Sequence, residues 1–126
     1  MKTGYKEAHR YFANAQALLK EKAGRENGSF KDRKYVRLAG HSAWMGVLVA
    51  VDEYLSSKNI KKERGRKSKE WYEVKLSRLN KKLNSAFINS YDGLHLTMGY
   101  DGNLVVKAAQ GFLEEGKKVL RLCEKG

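Results

Sequence analysis

An all-α protein, folded as an antiparallel up-and-down four-helix bundle, is what this sequence predicts, and three observations carry the prediction. Proline is absent from the 126 residues, so the strongest helix breaker never interrupts the chain. Alanine, leucine, lysine and glutamate, all strong helix formers, are plentiful. Apolar residues recur at steps of three and four along four separate segments, which draws one stripe on each of four helices.

The first helix is expected from about residue 3 to 25, with Tyr5, Ala8, Phe12, Ala15, Leu19 and Ala23 as its stripe. Asn27, Gly28 and Ser29 then stop it. The second, from about residue 31 to 55, carries Tyr35, Leu38, Ser42, Met45 and Val49 on one face and Ala39, Ala43, Gly46 and Ala50 on another. Being apolar nearly all round, it is expected to be central. Its small residues form a groove for the close approach of another helix, within the fold or across a subunit contact. The third helix, from about residue 68 to 90, starts at Ser68 as N-cap and turns Tyr72, Leu76, Leu79, Leu83 and Phe87 inward. A fourth runs from about residue 104 to 123 with Leu104, Val105, Ala108, Ala109, Phe112, Leu113, Val119 and Leu120 facing the core. Antiparallel packing buries four such stripes most simply.

One domain, residues 1–126, suits this length, and such a chain buries a core without disulfides or a structural metal. Cys123 is the only cysteine, which excludes an intramolecular disulfide. No Cys/His cluster has the spacing of a zinc site, so no metal and no cofactor are expected. The first residues carry charge every few positions, unlike a signal peptide. The longest charge-free apolar run, 38–51, falls short of the ~20 residues that span a bilayer. A cytoplasmic protein without membrane contact is therefore expected.

The formal net charge is +12, and its distribution is more informative than its total. Residues 1–34 hold nine basic and four acidic residues, and residues 35–55 one and two. Residues 56–90 hold eleven basic and three acidic, whereas residues 91–126 balance at five of each. The densest stretch is the loop 56–70, SSKNIKKERGRKSKE, with Lys58, Lys61, Lys62, Arg64, Arg66, Lys67 and Lys69, continued by Lys75, Arg78, Lys81 and Lys82 on the third helix. Such a surface can neutralise phosphates and release counterions, which gives salt-sensitive binding of nucleic acid. Trp71 and Tyr72 stand beside it, and an exposed aromatic there could stack a base. The same face could meet an acidic protein, or serve only solubility.

A second segment stands out as a Gly- and Tyr-rich loop, residues 91–102, with the sequence YDGLHLTMGYDG. Read as structure, it is a packed connection in which Tyr91 and Tyr100 bury their rings. Leu94, Leu96 and Met98 then plug the end of the bundle, and Asp101 caps the last helix. Read as chemistry, it sets Asp92, His95, Tyr100 and Asp101 around a small pocket as acid, base or ligand groups. Of the other histidines, His9 falls on a surface or rim, and His41, one turn after Arg37, reads as structural.

The succession of YKEAHRYFANAQALL, the helix YVRLAGHSAWMGVLVAVDEYL and YDGLHLTMGYDG before a final amphipathic helix resembles a small bacterial family of uncharacterised helical proteins. That family in turn resembles the HEPN superfamily, named for higher eukaryotes and prokaryotes nucleotide-binding. The resemblance covers almost the whole chain and implies a four-helix bundle that tends to dimerise. Catalytic HEPN members carry an arginine, four to six intervening residues and a histidine near the last long helices. Here Arg37 and His41 are separated by only three residues and lie in the second helix, and no arginine stands at that distance before His95. The resemblance thus implies the fold and a homodimer, without the ribonuclease site.

Two functional expectations follow. The first is a non-catalytic HEPN-like interaction module that binds RNA or a partner protein through its basic surface. The second is a small hydrolase or ribonuclease in which His95, with Asp92, Asp101 and Tyr100, acts as general acid or base.

Overall fold

Helices dominate the computed structural model, which describes residues 2–62 and 64–126; Glu63 of the basic stretch lies outside the described residues. The order is α1 (Thr3–Ala17), a π-helical turn (Leu18–Lys22), β1 (Arg25–Glu26), β2 (Ser29–Phe30), α2 (Arg33–Ser57), α3 (Lys69–Leu79), α4 (Lys81–Ser90), a π-helical segment (Tyr91–Tyr100) and α5 (Val106–Lys125). None of these helices is long and apolar enough to cross a membrane.

The stripe of the first helix is buried along its whole length, from Tyr5 to Ala23. The helix ends three residues earlier than the sequence suggests, and Asn27–Gly28 does more than stop it. With φ of 51° and 81°, these two residues make the left-handed turn of a two-residue hairpin that pairs β1 with β2. The hairpin is then tied to the entry of α5, where Phe30 N–H donates to Leu104 O at 2.7 Å and Val106 N–H to Gly28 O at 3.0 Å.

Helix α2 is central, packing against α1, α5 and the π-helical segment. Asp32 begins it by accepting from Lys34 N–H at 3.0 Å. The small residues Ala39, Ala43, Gly46 and Ala50 are all buried, and their groove is used inside the fold. A Cβ on Gly46 would lie 2.9 Å from Phe12 Cδ2 and 3.0 Å from Ala8 O of α1. The groove is therefore a helix crossing and gives no support to a subunit contact. Contrary to the all-round apolar reading, Leu38 and Met45 are 44% and 43% exposed.

The expected single helix over residues 68–90 is two helices. Ser68 does cap the first, accepting from Trp71 N–H at 3.0 Å. Asn80 then leaves the helical region (φ −160°, ψ 106°), and its side chain accepts from Leu83 N–H at 3.0 Å to cap α4. The kink leaves Leu79 exposed, while Tyr72, Leu76, Leu83 and Phe87 stay inside.

The expected loop over residues 91–102 is mostly helix. Its backbone winds with i→i+5 hydrogen bonds from Tyr91 to Tyr100, ending in Asp101 N–H to Leu96 O at 2.8 Å. Leu94 and Met98 are buried as expected, but Leu96 is exposed and Tyr100 is 73% exposed. Asp101 does not cap α5, whose first residue follows Val105 without a side-chain cap. It terminates the π-helical segment instead, and Arg33 Nη1 donates to the carbonyls of Asp101 and Gly102 at 3.1 and 3.3 Å. Close approach to α2 fixes this segment: a Cβ on Gly40 would fall 2.5 Å from Gly99 N and 2.6 Å from Leu94 O. Only glycine lets the two backbones touch there.

Candidate functional site

Two stretches that are far apart in sequence converge beside α2. The end of the basic loop with the start of α3 supplies Lys67, Lys69 and Tyr72, and the π-helical segment supplies Tyr91 and His95. Together with Trp44 and Leu48 of α2 they line a cavity of about 210 Å³. A second cavity of about 320 Å³ adjoins it and shares Lys67; Lys61, Lys62, Asp52, Ile60 and Trp71 are among its walls. Both features that stand out in the sequence, the basic run and the YDGLHLTMGYDG segment, thus supply walls to neighbouring cavities that share Lys67.

Aromatic rings form the wall of the first cavity. Tyr91 stacks on His95 with centroids 5.2 Å apart and planes 27° from parallel. Trp44 closes the triangle, 5.7 Å from His95 and 5.6 Å from Tyr91. Tyr91 and His95 sit four residues apart, which is why one helical face presents both rings. Behind them Phe87 packs against Trp44 and Tyr72, at 5.4 Å in each case. The rings are thereby held from the core side.

The cations of the mouth are restrained by carboxylates. Lys67 Nζ donates to Asp52 Oδ1 at 2.9 Å, and the Tyr72 hydroxyl donates to the same oxygen at 2.8 Å. Burial, and then the bond to Asp52, push the Tyr72 hydroxyl well above the usual phenol range. Lys69 Nζ pairs with Glu73 at 2.9 Å and lies 4.8 Å over the Tyr91 ring. The bond to Glu73 raises Lys69 above the ordinary lysine range, so it stays a cation. Lys58 turns elsewhere, donating to Gly126 O at 2.9 Å. By contrast Lys61, Lys62, Arg64 and Arg66 are exposed and make no ion pair among the described residues.

His95, too, is shifted from its ordinary value. Burial lowers it below 6.5, and the neighbouring His41 ring, 6.2 Å away, lowers it further. Its Nδ1 is shut off from solvent with no hydrogen-bond partner. A buried Nδ1 without an acceptor to donate to favours the tautomer that carries the proton on Nε2, where the ring offers a donor.

The other residues singled out from the sequence do not gather around His95. Asp92 lines a different cavity, about 520 Å³, with Asn89, Lys107 and Phe112. Asp101 stands at the Arg33 end of the segment, and Tyr100 points to solvent. No group of three His, Cys, Asp or Glu side chains suited to a metal ion occurs among the described residues. Trp44, Leu48 and Tyr91 are the members of the wall that sequence reasoning did not assign to a site. Trp44 and Leu48 belong to the helix that reads as apolar nearly all round, and Tyr91 reads as a buried ring of the loop.

A family model described as a domain of unknown function, DUF5618, matches residues 3–125. A solved structure, of a protein of unknown function from Dyadobacter fermentans, is 37% identical, with a TM-score of 0.90 over 97% of this chain and 94% of that one. No curated protein matches the chain.

Proposed function

The chain belongs to the DUF5618 family, and from the groove that it carries we propose a non-catalytic interaction module that binds single-stranded RNA. The observation that carries this reading is a pair of neighbouring cavities that share Lys67, with lysines and aromatic rings together in their walls. Single-stranded nucleic acid is held by that pairing of a positive track for phosphates with aromatic faces for bases. A duplex keeps its bases stacked and offers them to no such slot.

Lys61, Lys62, Arg64 and Arg66 form the electrostatic part, because they have no ion pair to give up among the described residues. Lys67 and Lys69 must exchange Asp52 and Glu73 for phosphate, an exchange near break-even for surface pairs. The sequence resemblance to HEPN modules agrees with a binding role, and mutual packing of α1, α2, α4 and α5 supports a four-helix core with α3 and the π-helical segment added. Exposed Leu38 and Met45 on α2 support the homodimer of this reading, in place of the buried small-residue groove.

Fluorescence anisotropy with a short single-stranded RNA over a range of salt tests the reading. Saturable binding is expected, with affinity falling as salt rises. Each lost phosphate contact lowers the log–log salt slope by ~0.7 on a single strand, so K61E/K62E/R64E/R66E should reduce it by about 3. Salt-independent binding, or equal binding by the quadruple variant, would refute the groove as a phosphate track. Cleavage of the probe, abolished by His95→Ala, would instead establish the catalytic alternative.

A further inference from the structure

Of the two cavities that share Lys67, the one walled by the π-helical segment, here the inner, differs from the other, the outer, in a way that electrostatics does not account for. Its walls are rings and one leucine, and its only cations, Lys67 and Lys69, are already neutralised by Asp52 and Glu73. A bare anion entering it would break both pairs and gain little beyond what it displaced. A flat ring system gains instead by covering the exposed surfaces of Tyr91, His95 and Leu48. At about 210 Å³ the cavity is also smaller than the ~300–1,000 Å³ usual for drug-sized ligands, which suits a single base and leaves sugar and phosphate outside.

We propose that the inner cavity seats one nucleobase against the Trp44, Tyr91 and His95 rings, with the attached phosphate drawn to Lys67 and Lys69 at the mouth. This rests on the single-stranded RNA reading and deepens it, because it divides the groove into a base seat and a backbone track. The track, formed by Lys61, Lys62 and Lys67, holds the chain of phosphates leaving the seat. His95 Nε2–H supplies the seat with a donor for a base acceptor, since its Nδ1 is enclosed and unpartnered. The seat is held open by packing from behind, where Phe87 lies against both Trp44 and Tyr72.

A free nucleoside 5′-monophosphate should therefore bind by itself, without the rest of an RNA. Trp44 and Trp71 are the two tryptophans, so Trp71→Phe leaves the wall of the seat as sole fluorophore and keeps an aromatic in the outer cavity. Titration of this protein with adenosine, guanosine, cytidine and uridine monophosphates should change Trp44 emission saturably. Ribose 5-phosphate, which has the anion and no base, should bind about 5- to 150-fold more weakly, since stacking of a base is worth ~1–3 kcal/mol. Leu48→Phe should fill the seat and remove the response, while the track still binds oligonucleotide. The comparison of nucleotide with ribose 5-phosphate needs no change to the cavity and decides the matter even if that variant folds poorly. Equal responses to the two would overturn the base seat, as would the absence of any nucleotide response in a protein that binds RNA through its track. A nucleotide response in a protein that binds no oligonucleotide would overturn the RNA reading and leave the seat as a small-molecule site.

Discussion

Gly40 is the position where a single methyl group should push α2 and the π-helical segment apart. A Cβ there would stand 2.5 Å from Gly99 N, 2.6 Å from Leu94 O and 2.7 Å from Met98 Cβ. Two of these are backbone atoms of a helical segment, which no rotamer change can move. Gly40→Ala thus forces α2 and the π-helical segment apart by on the order of an ångström, and overpacking of this kind costs ~1–3 kcal/mol. The upper end applies because nothing flexible absorbs the clash. Replacing a helical glycine by alanine returns ~1 kcal/mol, which leaves a net loss of about 2 kcal/mol. With an unfolding entropy of ~2.1 cal/mol/K per residue, the melting temperature should fall by about 8 °C. Gly111→Ala is the matched control: it lies in α5 with nothing within 4 Å of its added Cβ, so it should rise by about 2–4 °C. Thermal unfolding followed by circular dichroism measures both. A Gly40→Ala protein as stable as the parent would mean that α2 and the π-helical segment do not cross at backbone contact, and the placement of His95 against Trp44 would lose its basis.

Two further outcomes follow from buried titratable groups. Cys123 is enclosed, and burial pushes its thiol up to about 12, so almost no thiolate exists at neutral pH. A thiol-reactive dye should label it only on unfolding, and prompt labelling of the native protein would contradict the packing of α5. His95 has its folded-state value lowered below 6.5 by burial and by His41. The folded state then binds fewer protons than the unfolded one between that lowered value and 6.5, so stability rises with pH across the window. Relative to His95→Phe, wild-type stability should be greatest above 6.5 and decline as pH falls through the window. Denaturant midpoints of the two proteins along a pH series test this, and a constant difference would sink it.

The helical character and much of the core were legible because packing follows period. Every member of the Tyr5 to Ala23 stripe is buried, and Ser68 caps α3 as its residue type suggests. The break at Asn80 was hidden by the same rule. Leu76 and Leu83 are seven apart, two full turns, so the stripe passes across the interruption without losing phase. Only the capping side chain of Asn80 marks it, and Asn inside a long periodic run reads as surface. Asn27–Gly28 carried its hairpin signal openly, but strands of two residues present no alternation to confirm it.

The π-helical segment was illegible for a different reason, and that reason bears on function. Sequence patterns are read at 3.6 residues per turn, and a helix with i→i+5 bonds has no place in that scheme. Gly93 and Gly99 therefore fall in what reads as a loop, whereas both are places of close approach. A Cβ on Gly93 would meet the Phe112 ring of α5 at 2.2 Å, and one on Gly99 would meet His41 at 3.2 Å. The wide helix is wedged between α5 and α2 by these glycines, which sets the rotation at which Tyr91 and His95 face Trp44. Wide helical turns are costly for their hydrogen-bond geometry and tend to persist at functional sites. Held at that depth by Gly93 and Gly99, the segment sets Tyr91 and His95 in one cavity with Lys67 and Lys69, more than twenty residues earlier in the chain.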